Sequence, residues 1–273
     1  MIEKALEYAR GRDLHALLLW DDGAIVTEVY AGGYDAARAH ALYSGTKSFW
    51  GVAAVVAQEE GLLHLDEPVA QTFPAWREDD RKARVTLRML LQLTAGYGFG
   101  GLGASVPTYG AALAKPLRNE PETRFTYGGI ALQAFGAVLA GKLAARGVTP
   151  VAFLNAAVLE PAGASVGSWR ALADGTQTLP TGAALTARNW LAYGVWVLDN
   201  HARFAECFRG TAANSRYGLA WWLGAAGAPT DLFYASGSGG QGLYVCPSRR
   251  LIAVHFGESR SYKHDAFLRR LFA

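Results

Sequence analysis

The sequence predicts an α+β protein, with one antiparallel sheet built from both chain termini and packed between terminal helices and a central all-helical lobe. Three observations carry this expectation. Strand-like segments occupy residues 16–30 and return at 217–256. Almost everything between them is helical in period or rich in glycine and proline. Residues 1–10 and 262–272 both alternate charged and apolar side chains as amphipathic helices do. A single domain of 273 residues is expected, its sheet lobe over about 1–43 and 205–273 and its helical lobe over about 44–204.

Each element has its own reason. Ala16-Leu-Leu-Leu-Trp20 and Ala24-Ile-Val-Thr-Glu-Val-Tyr30 flank Asp21-Asp22-Gly23, so an Asp-Gly turn joins two β-rich runs into a hairpin. Helices are expected at 45–60, near 86–93, and at 130–145, 150–158 and 186–200. The longest loop, 94–109, carries Tyr97 and Phe99 among Gly98, Gly100, Gly101 and Gly103. Strands follow at 217–223, 232–235, 242–246 and 251–256, with Pro247-Ser-Arg-Arg250 as the turn between the last two.

Composition excludes several classes. Hydrophobic content of 51% against 18% charged residues describes an ordered core rather than a disordered chain. A net charge of +3 is only mildly basic, and the densest basic run, 77–88, is broken by Glu78, Asp79 and Asp80. No nucleic-acid partner is expected. No apolar run approaches the length of a membrane span, and the first ten residues lack a signal-peptide core, so a cytoplasmic protein without a membrane partner is the expectation. Cys207 and Cys246 lie among apolar residues and read as buried free thiols. His15, His40, His64, His201, His255 and His264 show no metal-ligand spacing, and neither a metal site nor a Ser-His-Asp triad is expected. Asp21-Asp22 and Asp79-Asp80 read as turn and loop residues, not as a paired-carboxylate site.

The stretch Ser44-Gly45-Thr46-Lys47 carries the chemistry. Serine attacks a carbonyl only when something removes its proton, and a lysine does that only with its own charge suppressed. The i, i+3 spacing places both side chains on one face where a helix begins. Phe49, Val52, Ala53 and Val56 follow with helical spacing and would bury that helix. The spacing alone is common in chains of this length, so its surroundings decide its meaning.

Those surroundings form an ordered set: Tyr43-Ser-Gly-Thr-Lys-Ser-Phe49, Glu60-Gly-Leu-Leu-His-Leu-Asp-Glu-Pro-Val69, Pro74-Ala-Trp76, Val85-Thr-Leu-Arg-Met-Leu-Leu91, Thr94-Ala-Gly96 and Arg124-Phe-Thr-Tyr-Gly-Gly129. The set resembles the serine β-lactamase-like superfamily, in its branch of class C β-lactamases, esterases and 6-aminohexanoate-dimer hydrolases. The resemblance implies the β-lactamase/transpeptidase-like fold, Ser44 as acylated nucleophile, Lys47 as its partner base and Tyr127 as a second proton-transfer group; a tyrosinate at Tyr127 would instead keep Lys47 protonated and act as the base itself, and the sequence does not apportion the proton between the two. It implies no cofactor. The backbone N–H of Ser44 would be one oxyanion donor, with Gly237 or Ser238 supplying the other.

Two departures from the family pattern bear on substrate. The tyrosine motif usually ends in asparagine, and here Gly129 holds that substrate-facing place. The third motif, Lys-Thr-Gly or His-x-Gly, corresponds to Tyr234-Ala235-Ser236 before Gly239-Gly240-Gln241, so its cation is missing. A lesser one is Gln92-Leu93, where the family often has threonine and histidine. The expected substrate is a small ester, amide or short peptide-like molecule. A β-lactamase or D-Ala-D-Ala-type peptidase, and a catalytically silent ligand-binding member, are the alternatives.

Overall fold

The computed structural model describes residues 2–273, and its first strand pair follows from the Asp22-Gly23 turn. Strands β1 (Leu14–Asp21) and β2 (Ala24–Tyr30) pair with Asp21 opposite Ala24, leaving a two-residue loop. Asp22 and Gly23 both take positive φ, 37° and 111°, as a hairpin turn matched to strand twist requires.

The other strands are β3 (His40–Ala41), β4 (Ser168–Trp169), β5 (Ala183–Leu185), β6 (Trp222–Leu223), β7 (Phe233–Ser236), β8 (Gly242–Cys246) and β9 (Leu251–Gly257). The helices are α1 (Ile2–Arg10), α2 (Ser48–Glu59), α3 (Leu87–Leu91), α4 (Tyr109–Ala114), α5 (Ile130–Leu143), α6 (Pro150–Leu154), α7 (Ala187–Asp199) and α8 (His264–Phe272). The six-stranded sheet runs β2-β1-β9-β8-β7-β6, every neighbour antiparallel. The N-terminal hairpin therefore docks on the last strand, with Leu18 opposite Val254.

Both faces of this sheet are covered, because successive side chains point opposite ways and both sets are apolar. Ala16, Leu18, Trp20, Ile252 and Val254 join the helical side, while Leu17, Leu19 and Ala253 pack with Ala5, Tyr8, Phe267 and Leu271 of α1 and α8. On the helical side, α2 is buried from Ser48 to Ala57, as its nearly all-apolar sequence demands. Among the described residues no single helix is long and apolar enough to cross a membrane. Cys207 and Cys246 are free and buried.

Several boundaries move for physical reasons. The helix expected from residue 45 begins as a 3-10 turn, Tyr43–Lys47, before α2. The expected strand at 217–223 is reduced to Trp222–Leu223, because Ala220 is left-handed (φ 62°) and Leu219 donates to the Cys207 carbonyl instead of a strand. The segment 150–158 is one α turn followed by a π turn, Asn155–Leu159. Helix α4 and the small sheet β3-β5-β4 were not anticipated; strands of two or three residues are too short to show a period. Met1, the first residue of the expected N-terminal helix, lies outside the described residues.

Helix α2 crosses the backbone at Leu219 so closely that only glycine fits at position 51, where an added Cβ would lie 3.0 Å from the Leu219 carbonyl carbon. Helix propensity favours alanine over glycine by about 1 kcal/mol, whereas overpacking against backbone costs about 1–3 kcal/mol. Gly51→Ala is therefore expected to lower the denaturant midpoint at unchanged m-value, a net loss of up to about 2 kcal/mol, although alanine is the better helix former.

Candidate active site

Ser44 and Lys47 stand where β3 turns into the helical lobe. Leu42 N–H is held by the Ala183 carbonyl at 2.9 Å, and the chain then reverses through Tyr43, a non-glycine residue at φ 47°. Such a conformation costs about 1–2 kcal/mol and survives only where neighbours enforce it. The following 3-10 turn has three residues per turn, so side chains three apart eclipse one another. Lys47 Nζ accordingly lies 3.0 Å from Ser44 Oγ.

Lys47 is 1% exposed, and no carboxylate among the described residues pairs with it. Burial alone pushes its pKa down to about 7. Its second partner is the Pro180 carbonyl at 3.2 Å, 133 residues away in sequence. That carbonyl is fixed from both sides of Leu179. Leu179 N–H donates to Gln133 Oε1 at 2.9 Å, and Trp50 Nε1 donates to the Leu179 carbonyl at 2.8 Å. Gln133, fully buried in α5, also donates to the Pro107 carbonyl at 2.8 Å, and Ala183 N–H donates to Thr46 Oγ1 at 3.2 Å. The lysine is thus surrounded by satisfied dipoles and no opposite charge.

Tyr127 reaches the same serine from the loop before α5. Its ring centroid is 5.0 Å from Lys47 Nζ, and its phenol lies near the Ser44 side chain. Burial raises the phenol pKa, and the nearby Ser44 hydroxyl only partly offsets it. An aromatic wall extends outward from it. Trp222 stands 5.7 Å from the Tyr127 ring, Tyr217 4.9 Å from Trp222, and Phe125 5.0 Å from Tyr217.

Gly129 is glycine because nothing larger fits. Its N–H donates to the Gly100 carbonyl at 2.9 Å, and a Cβ there would overlap the Gly101 carbonyl and lie 2.9 Å from the Pro180 ring. The 94–109 loop is therefore seated on the tyrosine segment, through a Gly100–Gly128 bridge, with Phe99 left 79% exposed. Gly237 packs on the Leu42 carbonyl, which brings the end of β7 beside the serine turn. Its N–H already donates to the Gln241 carbonyl at 2.8 Å. The N–H groups of Ser44 and Ser238 have no acceptor among the described residues. Tyr234 is buried in β7 and adds no charge; the cation beside it is Arg216, which also meets Asp265 at 3.7 Å.

Sequence reasoning missed Pro180, Gln133 and Trp50, since nothing local to them marks contact with a residue far along the chain. The string Gly163-Ala-Ser-Val-Gly167 has nucleophile-elbow spacing, but Ser165 is exposed and its hydroxyl meets the Asn189 amide at 3.2 Å, with no histidine in the bond. Among the described residues no group of three or more His, Cys, Asp or Glu could hold a metal ion.

Restoring the family's asparagine should fail. Gly129→Asn is expected to destabilise the protein by about 2–4 kcal/mol, because backbone and a proline ring must both move. Thermal unfolding of the variant checks this, and a Tm equal to wild type would contradict the packing argument.

The comparisons with known proteins bear on the family and the fold. The beta-lactamase family model matches residues 3–270. Among solved structures, EstCE1, a hydrolase with promiscuous acyltransferase activity, superposes with a TM-score of 0.81 at 15% identity, over 100% of this chain and 98% of that one. A class C beta lactamase from Rhodobacter sphaeroides gives a TM-score of 0.75 at 18% identity, over 99% and 97%. A penicillin binding protein from Bacillus halodurans gives 0.73 at 17%, over 96% and 97%. No curated protein matches the sequence. With the family model covering nearly its whole length, the chain belongs to the beta-lactamase family.

Proposed function

We propose that this protein is a serine hydrolase that cleaves a small ester or amide through an acyl-enzyme on Ser44. The observation that carries the reading is the 3.0 Å contact between Ser44 Oγ and a buried lysine with no counter-charge. A lysine with its pKa near 7 is neutral in half the molecules at neutral pH and accepts the serine proton as the hydroxyl attacks. Tyr127, whose phenol is held protonated, then passes a proton to the leaving group and regains one from Lys47, and a water activated by the same pair cleaves the acyl-enzyme to release the acid and restore Ser44. The free N–H groups of Ser44 and Ser238 would hold the developing oxyanion, and Gly237 is set aside because its N–H is engaged. Gly129 offers no amide to the substrate and Tyr234 no cation, which favours esters and linear amides over β-lactams.

Hydrolysis of p-nitrophenyl acetate tests this. Ser44→Ala should lose at least about a thousandfold in kcat, as removal of a covalent nucleophile does, with its circular dichroism unchanged. Wild-type turnover persisting in that variant would remove Ser44 from the mechanism. Rapid turnover of a chromogenic cephalosporin, exceeding that of the ester, would favour the β-lactamase alternative. Absence of any turnover, with no serine adduct from a fluorophosphonate, would favour the silent ligand-binding alternative.

The lysine sets the pH profile. Because the base must be neutral, kcat/KM should rise with pH through about 7 and level above it. Its folded pKa lies below its ordinary value, so its contribution to stability is full above about 10.5 and is lost as pH falls toward about 7. Lys47→Met should therefore abolish turnover yet unfold at higher denaturant at pH 7, by about 3 kcal/mol. That gain should vanish as the pH approaches 10.5, which chemical denaturation at the two pH values checks.

A further inference from the structure

Beside the aromatic wall lies a second cavity of about 380 Å³, lined by Trp222, Tyr234, Ser236, Tyr262, His264 and the Lys263–Asp265 rim. It shares Trp222 with the surroundings of Tyr127. A chain of hydrogen bonds runs into it from the protein interior. Tyr262 Oη lies 3.0 Å from Tyr244 Oη, Tyr244 Oη 2.7 Å from His264 Nδ1, and His264 Nε2 2.8 Å from Ser236 Oγ. None of these side chains has a role in the proposed acyl transfer.

Counting donors gives the chain a direction. Tyr262 is buried, and Tyr244 is the one partner of its hydroxyl among the described residues. If Nδ1–H donated to Tyr244, and Tyr244 to Tyr262, the Tyr262 proton would be buried without an acceptor, at a cost of about 1–3 kcal/mol. With the opposite polarity every buried donor is used. Tyr262 donates to Tyr244, Tyr244 to His264 Nδ1, and His264 Nε2–H to Ser236 Oγ. The proton left over is that of the Ser236 hydroxyl, on the partly exposed residue that lines the cavity.

We propose that Ser236 is a directed hydrogen-bond donor in a substrate subsite, where it recognises a neutral carbonyl oxygen carried on the substrate chain away from the scissile bond. The inference rests on the hydrolase reading and adds a specificity-determining residue to it. Ser236 is no second nucleophile in this arrangement, since a histidine already donating Nε2–H to it cannot take its proton. Burial pushes the His264 pKa down to about 4, which keeps the ring neutral and the chain's polarity intact near pH 7. The cations near this cavity do not single out an anion: Arg216 beside Tyr234 is paired with Asp265 at 3.7 Å, and Lys263 is exposed to solvent.

The test uses calorimetric binding to Ser44→Ala, which binds ligand without depending on turnover. Two ligands of equal length are compared: N-butanoyl-β-alanine ethyl ester, with an amide carbonyl in its chain, and ethyl octanoate, without one. Adding Ser236→Ala should weaken the amide ester about five- to tenfold, the worth of one hydrogen bond, and leave ethyl octanoate within about twofold. Equal weakening of both esters, no change in either, or no binding of either to Ser44→Ala would overturn the subsite. A selective loss for monoethyl octanedioate as large as that for the amide would overturn its neutral character. Ser44-dependent hydrolysis of ethyl octanoate by the wild-type enzyme reads the hydrolase assignment separately.

Discussion

The burial of Lys47 without a counter-charge is the constraint on which the rest of the structure depends. An ammonium in that place costs about 5 kcal/mol relative to water, a large share of a typical domain's net stability. The fold tolerates it because α2 is anchored over its whole inner length by apolar packing, and because the neutral amine still finds Ser44 Oγ and a carbonyl. A carboxylate in place of the Pro180 carbonyl would hold the lysine protonated. The local choice of a dipole over a charge is what leaves a base beside the serine.

Holding that dipole in place requires a framework drawn from distant parts of the chain. Trp50 on α2 and Gln133 on α5 grip the two sides of Leu179, and Thr46 grips Ala183. The same segment supplies the Leu42 N–H with its acceptor, just before the left-handed turn at Tyr43. Gly129 closes the arrangement by letting the 94–109 loop and the Pro180 ring meet over it. Seen this way, the missing asparagine is a consequence of packing. Its volume is occupied by loop backbone, and the Pro180 carbonyl bonds the lysine instead.

The sheet contributes from the other side. Strand β7 is paired by β6 only at Phe233 and Tyr234, so its far end remains open toward the serine. Gly237 rests on the Leu42 carbonyl there, and the Ser238 N–H is left without an acceptor. The odd-numbered residues of β7, Phe233 and Ala235, face the helical core, and Tyr234 faces the terminal helices with Tyr244 and Tyr262. Alternation along four residues thus separates core packing from the polar chain that ends at Ser236.

By itself the sequence determined the α+β order, the Asp22-Gly23 hairpin, the sheet shared by the two chain ends and the closeness of Ser44 to Lys47. These rest on local periods, turn chemistry and a spacing of three residues, all of which act within a few neighbours. Tertiary structure alone decided that Lys47 meets Pro180 and no acid, that Gly237 has a committed N–H, and that Gly129 is crowded by Gly101. It also shortened the strand at 217–223 and directed the hydrogen-bond chain from Tyr262 to Ser236. The physical reason is common to all of these. Desolvation, steric exclusion and donor counting depend on which atoms surround a group, and no local period marks those atoms, whether they lie 133 residues away as Pro180 does from Lys47 or in the same loop as Gln241 does with Gly237.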